Sequence, residues 1–296
     1  MSQKNYKSFS GSWVALITPM TEQGEVDYGD LRKLVDWHVE SGTTGLVILG
    51  TTAETATLSD EEQMAVLEVV IEHNQGRLPI IVGNGSNSTQ KTIDITKKLD
   101  HLAIDGYLTV TPYYNKPTQK GMVAHFKAVA QATDKPIILY NVPGRTCVDL
   151  SNESVIELAK VDNIIAIKDA TADLSRVGEI RQACPDFLQF SGDDGSSQQY
   201  LELGGDGVIS VTANVEPELV AKMVAASLAN NFELALSTDE KLVPLHKELF
   251  IEPNPVPAKW ALQQKAMIKS DAVRLPLLTM EPNNQLVVKQ ALEHAN

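Results

Sequence analysis

The chain has 296 residues and 43% hydrophobic content, enough for one sizeable core or a core with an appendage. Its formal net charge of -13 repels phosphate backbones and anionic lipid, so neither nucleic acid nor a membrane surface is an expected partner. No apolar run approaches the roughly 18 residues needed to cross a bilayer, and "MSQKNYKSFSGSW" at the start lacks the apolar centre of a secretory signal. Cys147 and Cys184 are the only cysteines. They form no C-x-x-C pair, so a cytoplasmic protein with reduced thiols is expected.

In chain order, eight short apolar runs read as buried strands: "WVALIT" from Trp13, "GLVILG" from Gly45, "PIIVG" from Pro79, "GYLTVT" from Gly106, "PIILYN" from Pro136, "NIIAIK" from Asn163, "FLQFSG" from Phe187 and "GVISVT" from Gly207. Helical segments lie between most of them. In "SDEEQMAVLEVVIEHNQG", Ser59 and Glu62 fit a capping box. Met64, Leu67, Val70 and Ile71 follow the helical period, and Gly76 fits the C-terminal cap. In "SNESVIELAK", Val155, Ile156 and Ala159 face inward by the same period. Strand–helix alternation with eight strands predicts an α/β fold, a (β/α)8 TIM barrel, with an open doubly wound sheet as the alternative. Strand signals stop after about residue 214. Helices over 216–230, 232–250, 257–269 and 284–295 follow, with Pro244 expected to kink or break the second. The division expected is a barrel over 1–230 and a helical extension over 231–296.

In a barrel of this kind chemistry sits at the C-terminal ends of the strands. Those ends carry Thr51 and Thr52, Tyr113 and Tyr114, Tyr140, Lys168 and Asp169, Asp193 and Asp194, and Thr212. Lys168 closes the apolar run from Asn163. A lysine there ordinarily snorkels to solvent. If Ile164, Ala166 and Lys168 share the inward face, however, the ammonium is desolvated and its pKa falls. A neutral amine can then attack a ketone. Tyr140 is either a core tyrosine with a satisfied hydroxyl or a proton donor and acceptor beside an imine. Thr51 and Thr52 either cap a helix or hold a small carboxylate. Arg145, in the turn "NVPGRT", is either a solvated loop residue or a carboxylate clamp. Cys147, two residues on, reads as a small buried thiol. The six histidines show no metal-ligand spacing, and no phosphate-binding glycine motif is present. Neither metal nor organic cofactor is expected. The glycines of "GGDG" precede the last strand and so lie away from the active rim.

The motifs "GTTAETATLSDEE", "LTVTPYYNKP", "ILYNVPGRT", "IIAIKDA", "SGDD", "GGDGVISVTANV" and "EPNPVPAKWAL" resemble the dihydrodipicolinate synthase family, part of a wider group with N-acetylneuraminate lyase and sugar-acid aldolases. The match runs in order over essentially the whole chain. The resemblance implies a barrel enzyme of class I aldolase mechanism. It condenses pyruvate with L-aspartate 4-semialdehyde to 4-hydroxy-tetrahydrodipicolinate, in lysine and diaminopimelate biosynthesis. On that resemblance Lys168 forms the imine, Thr51 and Thr52 hold the pyruvate carboxylate, and Tyr140, Thr52 and Tyr114 form a proton relay. Arg145 takes the second substrate's carboxylate. Gly192, Asp193 and the Ile209 backbone lie near the reacting centre. The family lends the Tyr114 equivalent across a dimer interface, which implies a homotetramer, a dimer of dimers.

Two departures stand out. Ala53 replaces a glycine common in the family, a change with little expected effect unless the backbone there has positive φ. The family's lysine-binding effector pocket maps to Thr55, Ala56, Asp60, Gln63, Asn87, Lys91 and Tyr113. Lysine-sensitive members typically carry glutamate where this chain has Lys91. An ammonium there turns attraction into repulsion of more than about 1 kcal/mol, with Asp60 a partial counterweight. Lysine inhibition is expected to be weak or absent. Two alternative functions stand beside the synthase: a sugar-acid aldolase, which "NVPGRT" disfavours, and a retired carboxylate-binding barrel, which needs no proton relay.

Overall fold

A computed structural model describes residues 6–295, so residues 1–5 of the N-terminal stretch read for a signal lie outside it. The strands are β1 (Gly11–Ala15), β2 (Gly45–Ile48), β3 (Ile80–Gly83), β4 (Gly106–Val110), β5 (Ile137–Asn141), β6 (Ile164–Asp169), β7 (Leu188–Ser191) and β8 (Gly207–Ser210). They are all parallel and run in sequence order. β1 closes on β8 through Gly11↔Gly207 to Val14↔Ser210, so the barrel is shut and the open-sheet alternative falls. Nearly every strand position is buried, as expected of strands covered by side chains within and helices without. The inner cluster includes Trp13, Ile81, Leu108, Ile138, Ala166, Phe190 and Ile209. A larger outer cluster lies under the helices.

The barrel helices are α1 (Tyr28–Glu40), α2 (Asp60–Asn74), α3 (Thr89–Leu99), α4 (Gln119–Ala130), α5 (Pro143–Thr146), α6 (Asn152–Leu158), α7 (Ser175–Ala183), α8 (Ser197–Glu202) and α9 (Pro217–Leu228). Then come α10 (Phe232–Glu248), α11 (Val256–Gln264) and α12 (Pro282–Ala295), with α10 packed on α9 and α12 on α10 and α11. None of the described helices is long and apolar enough to cross a membrane. Ser59 and Glu62 form the capping box at the head of α2.

Several local expectations change. α2 is capped by Gln75, which takes the left-handed conformation itself (φ 49°), with Gly76 one residue later. Its buried face is Val66, Leu67 and Val70, while Met64 and Ile71 are only partly covered. In α6 Val155 and Leu158 are buried and Ala159 packs partly covered against the core, whereas Ile156 does not join it. Pro244 neither ends nor splits α10. It removes the partner of the Glu240 carbonyl, and His294 of α12 places Nε2 3.4 Å from that oxygen. Strict alternation also fails in β6. Its pairing with β5 jumps from Ile137↔Ile164 to Ile138↔Ala166, a bulge. Ile164 consequently joins the outer cluster, while Ile165 and Ala166 both join the inner one. The bulge restores the inward phase just before Lys168.

Candidate active site

β5 and β6 pair Tyr140 with Lys168 directly. Both side chains point into the barrel mouth, 8% and 5% exposed. The Lys168 Nζ lies over the Tyr140 ring, 4.3 Å from its centroid. Burial pulls the Lys168 ammonium down to about 8, with the Asp194 carboxylate resisting and the Arg145 guanidinium assisting. Burial also raises the Tyr140 phenol, against the Arg145 charge and a hydrogen bond with Thr51. Near neutral pH the phenol therefore keeps its proton and can donate it, while a usable fraction of the lysine is free amine.

Gly192, just past β7, is shaped by the lysine. A Cβ there would stand 2.7 Å from Lys168 Cε and 3.0 Å from Ala170 Cβ, so only glycine lets the stem pass. Ile209 is buried in the inner cluster. The Asp193 carboxylate accepts from Ser196 N (3.1 Å) and Ser196 Oγ (2.6 Å), so it caps its own turn. Arg145 is exposed in α5, within electrostatic reach of both Lys168 and Tyr140.

The relay expectation needs correction. The hydroxyl that meets the Tyr140 phenol is Thr51's. The Thr52 hydroxyl, one residue on, is buried and accepts instead from Asn254 Nδ2 at 2.9 Å. Tyr114 is not brought to Tyr140 within one chain. It is 88% exposed with φ 72°, a strained conformation for an aromatic residue. Ala53 sits in the 3-10 turn Thr51–Ala53 and the positive φ falls on Glu54, so the alanine carries no strain. Cys147 is not a buried thiol: it takes φ 59° at the end of α5 and is exposed. Of the acidic residues at the rim, Asp169 turns away to Arg176 (2.8 Å). Asp194, which the sequence places at the rim without a role, is buried and accepts from Val211 N and Thr212 N at 2.9 Å each. Its only signal was the doublet "GDD" after a strand.

The mapped effector residues lie around the 55–63 turn and the start of α3. Gln63 Nε2 donates to the Thr55 and Leu58 carbonyls, and the Asn87 carbonyl accepts from Asn115. Asp60, whose side chain is 82% exposed, has Lys98 Nζ at 3.9 Å. Ala56 and Lys91 are exposed, and Tyr113 is 40% exposed.

The model of the dihydrodipicolinate synthetase family matches residues 8–295. The 4-hydroxy-tetrahydrodipicolinate synthase of Idiomarina loihiensis is 48% identical, over 97% of each chain. A chloride-inhibited dihydrodipicolinate synthase of Acinetobacter baumannii, solved with pyruvate, superposes with a TM-score of 0.94 at 44% identity, covering 97% of this chain and 98% of that one. A dihydrodipicolinate synthase variant characterised as monomeric superposes equally well, with a TM-score of 0.94 at 37% identity over 97% of each chain.

Proposed function

The chain belongs to the dihydrodipicolinate synthetase family, and from that premise we propose that it condenses pyruvate with L-aspartate 4-semialdehyde through an imine on Lys168. The observation that carries this reading is a lysine buried at the barrel mouth against a buried tyrosine. The free amine of Lys168 attacks the pyruvate ketone carbon. The Tyr140 phenol, hydrogen-bonded to Thr51, gives its proton to the departing hydroxyl as water leaves. The Tyr140 phenolate left behind takes a methyl proton to give the enamine, whose carbon bonds to the aldehyde carbon of the second substrate, and the phenol then protonates the resulting alkoxide. The amino group of that substrate then displaces Lys168 by cyclising to 4-hydroxy-tetrahydrodipicolinate. Arg145, exposed at the mouth, suits the second substrate's carboxylate by bidentate pairing. That carboxylate is what a sugar acid would replace with hydroxyl groups.

Borohydride reduction in the presence of pyruvate should leave a pyruvyl adduct on Lys168, located by peptide mass spectrometry. The sign of its pH dependence follows from the amine. Below about 8 most of it is protonated, so the initial rate of adduct formation should rise with pH and level off above about 8. An adduct confined to exposed lysines, or a midpoint near 10, would overturn the assignment. Conversion of aspartate semialdehyde, and not of N-acetylneuraminate, should identify the second substrate.

The same reading places the enzyme in the cytoplasm as a tetramer in which a neighbour receives Tyr114. The exposed, strained Tyr114 supports this, because its ring finds no cover within its own chain and strained residues cluster where a site is assembled. Full activity in a monomer at sedimentation equilibrium would exclude it. Feedback by free lysine should be weak, since Lys91 repels either ammonium group of the effector and Asp60 already faces Lys98. Half-inhibition by sub-millimolar lysine would sink this expectation.

A further inference from the structure

Thr51 and Thr52 sit between two residues with left-handed backbones, Leu49 (φ 56°) and Glu54 (φ 56°). Neither is glycine, and positive φ is a genuine outlier for a bulky side chain such as leucine. Strain of this kind persists only where the surroundings over-determine it. At the first end, Gly83 provides the room: a Cβ there would overlap the Leu49 carbonyl oxygen. At the second end, Glu54 is held from far along the chain. Its Oε1 accepts from Lys259 Nζ at 2.5 Å and its Oε2 from Arg274 N at 3.1 Å. Lys259 is fully buried and donates again to the Ala272 carbonyl at 2.7 Å. Between the ends, Asn254 Nδ2 donates to Thr52 Oγ1 at 2.9 Å. Asn254 Oδ1 is buried without a hydrogen-bond partner among the described residues, so Thr52 is the side-chain amide's one anchor.

We propose that Asn254 and Lys259, contributed by the C-terminal helical layer, are positioning residues that clamp the strained 49–54 turn so that Thr51 meets Tyr140. The inference rests on the Lys168–Tyr140 reading above. It gives the C-terminal helices a catalytic purpose beyond covering the barrel. Residues some 200 positions away set the aim of a hydroxyl at the end of β2, and small misplacements at such a site cost rate steeply.

The test compares five forms of the full chain: the parent, Asn254→Ala, the double variant Glu54→Gln with Lys259→Met, Thr52→Val, and Thr52→Val with Asn254→Ala. The double variant at Glu54 and Lys259 replaces a buried ion pair by neutral groups of similar volume, a change commonly near-neutral for stability. Its glutamine keeps an acceptor for the Arg274 N–H. Readouts are the Lys168 pyruvate-adduct rate, kcat, KM and Tm. Asn254→Ala and this double variant should both stay folded, with Tm within about 5 °C of the parent. Their kcat and adduct rate should fall about tenfold or more. On a Thr52→Val background, Asn254→Ala should cost nothing further, since its target is gone. Parental kcat and adduct rate in both variants, or losses that merely track the folded fraction, would overturn the clamp and leave the Schiff-base assignment standing. A parent that forms no adduct would overturn both.

Discussion

Replacing Lys168 with methionine should abolish the pyruvate adduct, cut turnover by more than about a thousandfold, and make the protein more stable. The first two effects follow from losing the nucleophile. The third follows from its surroundings. Lys168 is 5% exposed and forms no ion pair among the described residues. Among the described residues, the face of the Tyr140 ring and the partial pull of Asp194 are its electrostatic compensation. Depression from 10.5 to about 8 corresponds to about 3 kcal/mol at about 1.4 kcal/mol per pH unit. Because the folded pKa lies below the unfolded one, this penalty is full below about pH 8. It fades as pH rises toward 10.5, where the unfolded chain also gives up its proton. Methionine has a similar length and no charge, so the variant should gain about 1–3 kcal/mol in urea unfolding at pH 7 and less at pH 9.5. A variant no more stable than the parent at pH 7 would mean that the ammonium is solvated, and would weaken the case for a neutral nucleophile.

This trade of stability for reactivity was partly visible in the residues alone. An ammonium at the end of "NIIAIK" is hard to reconcile with an ordinary strand. The eight apolar runs, each bounded by glycine, proline or polar residues, predict the barrel because buried parallel strands need both faces apolar. What stayed illegible is what local patterns do not encode. The bulge before Ala166 shifts the phase of β6 by one residue, and pairing with β5, not the composition of β6, reveals it. Thr51 and Thr52 are chemically alike, so which of them faces Tyr140 is decided by a 3-10 turn between two left-handed residues. The motif "EPNPVPAKWAL" carried the family resemblance, yet nothing within it says that Asn254 reaches Thr52 or that Lys259 reaches Glu54. Both partners lie about 200 residues earlier, across the closed barrel. The exposure of Cys147 likewise follows from a left-handed turn that a cysteine does not announce.

Lys259→Met alone should be among the most destabilising single substitutions in the chain, in contrast to its pairing with Glu54→Gln. Glu54 and Lys259 expose 2% and 0% of their side chains. Burial lowers the Lys259 ammonium, and Glu54 is the first influence that holds it up. Removing the ammonium leaves a carboxylate buried with the Arg274 N–H and the pull of the Arg274 guanidinium as its compensation. Breaking a buried pair from one side costs about 3–5 kcal/mol, whereas neutralising both sides costs little. For a chain of this length the single variant should melt roughly 10 °C below the parent, and adding Glu54→Gln should recover most of that. The loss should also depend on pH. A buried carboxylate stripped of its partner takes up a proton, and such a group contributes stability at low pH that is lost as pH rises. The deficit of Lys259→Met should therefore be smaller at pH 5 than at pH 8, as read by urea unfolding. Equal deficits at both pH values would mean that water enters and solvates Glu54 once the lysine is gone. The turn that carries Thr51 would then have lost its anchor without losing its charge, and the variant should lose turnover in proportion.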